Sequence, residues 1–206
     1  MGKGDKMKQR TVGIYLFNNV EVLDFAGPFE VFSVTGQKNE EIKGSFDVFT
    51  IAKDKKAVVA INGLSINPDY SMKNAPAIDL LVIPGGLGSR EVLYDEEALE
   101  WIKIRSDEAE LVLSVCTGAF ILGKIGLLDG LQSTTHHSCF KDLEEIAPET
   151  KVIKDTRFVD NGRVITAGGI AAGIDMSLHV VGKLLGESVA MKTANHMEYQ
   201  YSECYR

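Results

Sequence analysis

The chain has 206 residues, 45% apolar and 25% charged, enough for one sizeable hydrophobic core and unlike a disordered, collagen-like or coiled-coil sequence. Its 22 basic and 29 acidic side chains leave a net charge of −7, so a polyanion would bind against the overall field, and nucleic acid is not an expected partner. No apolar run approaches the roughly 20 residues that span a bilayer, and the charged N-terminus lacks the apolar centre of a secretion signal, so no membrane association is expected and a soluble, cytoplasmic protein is.

Residues 1–10 read as a flexible tail and residues 11–206 as one domain, since no repeat, low-complexity tract or Pro/Ser-rich linker marks a boundary. Residues 11–17 (TVGIYLF) form a short β-rich apolar run. Residues 24–34 then place Phe25, Phe29, Val31 and Phe32 at helical spacing. After a strand at 46–52, the stretches 58–61 and 64–66 flank Asn62-Gly63, a hairpin signal. Residues 79–83 (DLLVI) are nearly all apolar and stop at Pro84-Gly85-Gly86, as a parallel strand buried on both faces would. A helix over 96–105, with Leu99 and Ile102 inward, leads to a second continuous strand at 111–115 (LVLSV), and residues 117–122 turn helical at once. Residues 163–167 (RVITA) follow the turn 160–162 and pair with 156–159. Residues 170–185 carry Ile174, Leu178, Val181 and Leu185 on one stripe, and a last helix runs from 187 to about 199. Strands alternating with helices predict an α/β fold, a doubly wound sandwich around a mostly parallel sheet.

In such sheets ligands bind beyond the carboxyl ends of the strands. That rule singles out Cys116, just past LVLSV, and Gly85-Gly86, just past DLLVI. A thiol where a buried strand breaks into a helix has the mechanics of a nucleophile elbow, and the helix start favours the thiolate. The helix alone is insufficient. Lowering a thiol pKa from about 8.5 to about 5.5 takes roughly 4 kcal/mol, whereas a helix terminus supplies at most about 2, so a further proton-holding neighbour is required. The backbone N–H groups of Thr117 and Gly86 are candidate oxyanion donors. The competing interpretation of Cys116 is a small buried hydrophobe, and Cys139 and Cys204 are read that way. The three cysteines form no CxxC pair, which fits a reducing compartment. The Gly-rich run 85–88 lacks the Lys-Ser/Thr of a Walker phosphate loop.

Five ordered motifs carry a resemblance: LDFAGPFEVF (23–32), IPGGLG (83–88), SVCTGAFILGKIGLLDG (114–130), STTHH (133–137) and GGIAAGIDMSL (168–178). Over about residues 12–199 the chain resembles the DJ-1/PfpI superfamily, and within it the isonitrile hydratase group; the same core also occurs as the sensor half of AraC-type regulators. The resemblance implies a flavodoxin-like, class I glutamine amidotransferase-like sandwich, usually a homodimer, with the elbow cysteine reactive and an acid from the early helix beside it. That acid is Asp24, four residues before Pro28. Many relatives carry Glu there, whereas Asp, and Thr after the cysteine, are similar to the isonitrile hydratases. The protease-like branch has His directly after its cysteine, which Thr117 replaces. The resemblance also places His136 near the pocket in some relatives.

Read from the residues alone, Asp24 also suits a helix N-cap. Facing Cys116, it would share one proton with the thiol and be the missing donor. Ile170, opening a helix after Gly168-Gly169, is a candidate pocket wall, and Asp175 in the same helix reads as a hydrogen-bonded structural acid. His179 and His196 read as structural. His136 and His137 have no third ligand at a recognisable spacing, so no metal is expected, and no organic cofactor either. The expected activity is addition of water to an isonitrile, a small electrophile, giving an N-substituted formamide through a covalent Cys116 adduct. Glyoxalase-like, deglycase-like or amidase chemistry, and a non-catalytic ligand- or redox-sensing module, are the alternatives.

Overall fold

The computed structural model describes residues 9–37 and 42–201. Strand β1 (Arg10–Leu16) leads into helix α1 (Val22–Val34) and strand β2 (Phe46–Ala52). The short strands β3 (Val58–Val59) and β4 (Ser65–Ile66) pair antiparallel across the Asn62-Gly63 turn, where both residues take positive φ, as the Asn-Gly signal requires. Then follow β5 (Tyr70–Ser71), β6 (Leu80–Ile83), α2 (Ser89–Val92), α3 (Glu96–Glu108), β7 (Leu111–Val115) and α4 (Gly118–Lys124). The last third holds β8 (Gln132–Ser133), a 3-10 turn (His137–Cys139), α5 (Phe140–Ile146), β9 (Lys151–Val152), β10 (Phe158–Asp160), β11 (Val164–Ala167), α6 (Ala172–Leu185) and α7 (Glu187–His196).

The main sheet has seven strands in the order β10-β11-β7-β6-β1-β2-β5, parallel throughout except for the β10–β11 pair. Helices α1, α6 and α7 pack together on one face and α2, α4 and α5 on the other. This is the α/β doubly wound sandwich expected, and the continuous apolar strands are the reason: every residue of β6 and β7 is buried. From β1 the chain crosses to β2 on one side, then returns to build β6, β7 and β11 on the other. The crevice beyond β1, β6 and β7 is therefore the topological switch point of the sheet.

Several sequence expectations shift. The boundary of the tail moves, because Arg10 is already in β1 and makes a two-point ion pair with Glu110, at 2.8 and 3.1 Å; residues 1–8, like Cys204, lie outside the described residues. The final helix stops at His196 rather than near Tyr199. Asp24 is not an N-cap, since Glu21 takes that position and Asp24 is the third residue of α1, its side chain turned into the protein. Helix α5 and strand β5 had no element assigned in the sequence, being short segments whose pattern is set by what they pack against.

Candidate active site

Cys116 follows β7 with φ = 56°, in the left-handed region, where a residue with a Cβ is strained by roughly 1–2 kcal/mol. Backbone contacts hold it there. Its N–H is shared between the carbonyls of Ala167 and Gly168, at 3.1 and 3.0 Å, and its carbonyl accepts the Thr135 hydroxyl at 2.8 Å. The side chain is thereby presented at a sharp corner, in a residue that is only 7% exposed. Thr117 N–H donates toward the thiol.

The loop after β6 closes on this corner. Gly86 N–H donates to Thr117 Oγ1 at 3.0 Å, and Ser89 Oγ lies 2.9 Å from the same hydroxyl and 2.8 Å from the Gly86 carbonyl. The Gly86 amide is thus occupied by the Thr117 side chain, which corrects its expected role as a free oxyanion donor. Gly85 is a glycine because of the approach it permits. A Cβ there would sit 2.5 Å from Thr117 N and 2.9 Å from Asp24 Oδ2.

Asp24 has no solvent exposure. Its Oδ2 accepts Gly85 N–H at 3.0 Å, while Oδ1 is buried with no hydrogen-bond partner. Burial, opposed by the Gly85 bond and reinforced by Glu21, pushes this carboxyl up to about 7, and the carboxyl and the Cys116 thiol are coupled to each other. The thiol moves further. Burial first, and the Asp24 charge second, push Cys116 well above its ordinary value, against the Thr117 N–H. Loss of solvation and the facing carboxyl thus act against the thiolate that the short helix start favours.

The remaining candidates lie on neighbouring segments of the chain, and Ile170, expected as a pocket wall, is not among the residues lining the adjoining cavity. His136 is half-buried, its Nδ1 2.8 Å from Ser138 Oγ and accepting Ser138 N–H at 3.3 Å, and burial followed by the neighbouring His137 holds it below the usual imidazole range. Its ring lies over Gly169, where a Cβ would meet Cδ2 at 2.0 Å. The histidine thus abuts the loop whose Gly168 carbonyl binds Cys116 N–H, without a hydrogen bond to the sulfur. Ile170, half-buried, is two residues further along the same loop. Glu21, Ser89 and Thr135 had no site role in the sequence reading. Glu21, whose N–H donates to the Gly85 carbonyl at 2.9 Å, places a carboxylate close enough to act on both Asp24 and His136. Thr135 stands inside the STTHH run, but nothing in a hydroxyl's sequence context announces a bond to a carbonyl 19 positions away.

A cavity of about 870 Å3 adjoins the elbow through Thr135, Gly168 and Gly169 and extends to His137, Arg157 and His179. Cys116 is not among its walls. Among the described residues no three His, Cys, Asp or Glu side chains gather as a metal set, and no helix is long and apolar enough to cross a membrane.

The sequence profile described as the DJ-1/PfpI family matches residues 10–183. An isonitrile hydratase of Pseudomonas putida is 32% identical over 91% of this chain and 78% of its own length. The HTH-type transcriptional regulator GbdR of Pseudomonas aeruginosa is 26% identical over 93% of this chain, which spans only 51% of that regulator. Among solved structures, a ThiJ/PfpI family protein from Pseudomonas syringae superposes with a TM-score of 0.84 at 27% identity, covering 96% of this chain and 78% of that one.

Proposed function

Because the chain belongs to the DJ-1/PfpI family, we propose that it is a cysteine-dependent enzyme adding water to isonitriles, with Cys116 as nucleophile and Asp24 as the acid–base group. The observation that carries the reading is the buried thiol–carboxyl pair, in which Asp24 is fully buried with one carboxylate oxygen without a partner, and burial pushes that carboxyl up to about 7. A carboxyl so poised exchanges protons in both directions near neutrality.

In the first step Asp24 accepts the Cys116 proton as the sulfur bonds to the terminal carbon of R–N≡C. Asp24 then returns that proton to the carbon, giving the thioimidate R–N=CH–S–Cys116. In the second step Asp24 deprotonates a water that adds to this carbon, and the proton passes to nitrogen. Collapse of the tetrahedral adduct breaks the C–S bond, releases R–NH–CHO and returns the hydroxyl proton to the sulfur. Water and isonitrile are consumed one for one and no redox change occurs. Thr117 N–H, already directed at the sulfur, is the donor available to the developing charge. Neither step calls on an organic cofactor or a metal. Assembly as a homodimer belongs to the same proposal and is read by light scattering.

The test is direct. Incubation with a simple alkyl isonitrile should yield the N-alkylformamide by NMR, with the product lost in Cys116→Ala. A folded wild type inert toward alkyl and aryl isonitriles would overturn the reading. Binding of a small ligand without turnover would instead favour a non-catalytic sensing role, the alternative to which similarity to a transcriptional regulator lends support.

A further inference from the structure

Ser89, the first residue of α2, is fully buried and takes no part in the chemistry above. Its hydroxyl closes a ring of hydrogen bonds between the loop after β6 and the elbow. Gly86 N–H donates to Thr117 Oγ1 at 3.0 Å, and Thr117 Oγ1 lies 3.1 Å from the Gly86 carbonyl. Ser89 Oγ lies 2.8 Å from that carbonyl and 2.9 Å from Thr117 Oγ1. Whichever hydroxyl donates to the carbonyl, the other donates to its fellow oxygen. Both hydroxyl protons are therefore spent inside the ring, and the Thr117 side chain is held in one orientation.

The ring bears on Asp24 through the residue before Gly86. Gly85 N–H donates to Asp24 Oδ2 at 3.0 Å. Two successive glycines bring no side chain to anchor this backbone, and their dihedrals resist displacement least. One edge is fixed by backbone contacts, since the Gly85 carbonyl accepts Glu21 N–H at 2.9 Å and Gly86 forms a bridge with Val20. The edge facing the elbow is fixed by Thr117 and Ser89. Clearance there is small: a Cβ on Gly85 would sit 2.5 Å from Thr117 N and 2.7 Å from Thr117 Oγ1. A turn of the Thr117 side chain is therefore felt at the Gly85 peptide.

We propose that Ser89 is a positioning residue for Asp24: by locking the Thr117 side chain it holds the Gly85–Gly86 backbone where Gly85 N–H reaches the carboxylate, and so sets the pH at which Asp24 becomes a base. The proposal rests on the acid–base role given to Asp24 and not on the isonitrile as substrate. A donor to a carboxylate favours the charged form, each such bond being worth roughly one pH unit, and for Asp24 the Gly85 bond is the main influence opposing burial. The other groups acting on Asp24 are Glu21, just before its helix, and Cys116. Helix α6, packed on α1, carries Asp175, met by Arg157 and Tyr199, and His179 and Lys183, both paired with Asp160. Helix α7, with Glu187, Lys192 and His196, meets the far end of α1, where Thr193 Oγ1 lies 3.3 Å from Thr35 Oγ1. The strands beneath α1 carry charge only at their amino ends, Arg10 on β1 and Asp47 on β2, at the opposite edge of the sheet from the site. Removing the Ser89 hydroxyl loosens the Gly85 bond and leaves all these charges in place.

The test reads Asp24 itself. The full chain, labelled with 13C at its aspartate carboxyls, is titrated by NMR, Asp24 being the resonance lost in Asp24→Asn. The parent midpoint should lie near pH 7, and Ser89→Ala should raise it by roughly half to one unit, the effect of weakening one donor. Thr117→Val, which keeps the side-chain shape without the hydroxyl, should raise it similarly. Ser89→Ala should add nothing on that background, because both substitutions break the same ring. Thr117→Ser, which retains the hydroxyl, should titrate close to the parent. An unmoved midpoint in Ser89→Ala, even with a lower melting temperature, would make Ser89 merely structural and overturn the proposal; should that variant not fold, an unmoved midpoint in Thr117→Val does the same. A Ser89→Ala shift that persists undiminished beside Thr117→Val, or a shift in Thr117→Ser as large as in Thr117→Val, would also overturn it. A raised midpoint without any formamide product would leave the positioning role standing and sink the hydratase reading; formamide with an unmoved midpoint would do the reverse.

Discussion

Two carboxylates, Asp24 and Asp175, are both fully buried, both stand in the first turn of a helix, and both helices pack on the same face of the sheet. Their surroundings differ completely. Asp175 receives Arg157 through Nε at 2.7 Å and through Nη2, and the Tyr199 hydroxyl at 3.0 Å. Burial, with the Asp175 charge behind it, pushes the Tyr199 phenol up to about 12, so it stays a donor. Asp24 has one backbone donor, an oxygen with none, and a thiol in front of it. Asp175 is therefore an anion whose charge is answered, tying α6 to the segments before β10 and after α7. Asp24 is a carboxyl left without a countercharge, and its unmet demand is what lets it accept and return a proton. Burial alone identifies neither role; the completeness of the hydrogen bonding does.

The comparison breaks most visibly on Asp24→Asn. Turnover should fall by about 10²- to 10⁴-fold, the usual contribution of a positioned acid–base group. Stability should move the other way. The carboxyl is raised from 3.8 to about 7, so between those values the folded state holds a proton that the unfolded chain releases, and stability declines as pH rises through that window. Removing the charge should stabilise the protein at pH 8 by at most on the order of 4 kcal/mol, with no gain at pH 3. Urea melts at the two pH values check this. Equal stability at pH 8 would mean that Asp24 is as well answered as Asp175.

Arg157→Met should do the opposite. It leaves Asp175 buried without its cation, at a cost of roughly 3–5 kcal/mol in denaturant melts. Turnover per folded molecule should hold within about twofold, because the contact of Arg157 with the Cys116 loop is made by its backbone carbonyl, which accepts Gly168 N–H at 2.9 Å and survives the substitution. A collapse of kcat with unchanged stability would erase the distinction between the two acids.

The pH profile sharpens it further. Since Asp24 must be ionised to take the thiol proton, kcat/KM should fall as pH drops through about 7. Glu21 contributes to that elevation, so Glu21→Gln should carry the acid limb to lower pH. A limb that ignores Glu21 would place the titrating group elsewhere.

How far the sequence reveals this site depends on the length scale of each cause. The strands LVLSV and DLLVI declare themselves because burial on both faces demands uninterrupted apolar residues, and the corner at Cys116 follows from where they stop. The Asp24 carboxyl is legible only through family resemblance, since its partners come from Gly85 and Cys116, 61 and 92 positions away. That the pair shares one proton follows from the sequence once Asp24 is set facing Cys116, but the extent of burial does not: it depends on how much solvent the fold strips from both groups, and it opposes the helix start visible in the sequence. The Gly86 amide fails for a related reason: its N–H is present, as the sequence says, but the Thr117 side chain reaches it first. Thr135 and Ser89 leave no trace because a hydroxyl's partner is chosen by the tertiary fold.

The smallest effect should come from Thr135→Val, which keeps the shape of a buried side chain and removes its hydroxyl. The Cys116 carbonyl would retain one weak donor, Ala119 N–H at 3.4 Å, so the loss of stability should be about 1 kcal/mol. The kinetic effect follows from geometry rather than from charge. A residue at φ = 56° stays there only while its neighbours over-determine it, and Thr135 is one of the groups that do so. Slackening that corner lets the sulfur wander by a fraction of an ångström from the line between Asp24 and the substrate carbon. The expectation is a fall in kcat of several-fold with KM almost unchanged, since substrate contacts are intact and the reacting atoms are not. Asp24 should keep its acid limb near pH 7 in this variant, because the hydroxyl reaches the backbone of Cys116 and not the carboxyl. A shifted limb would show that Thr135 tunes the pair electrostatically, and the two acids would then differ in their extended surroundings as well as in their immediate donors.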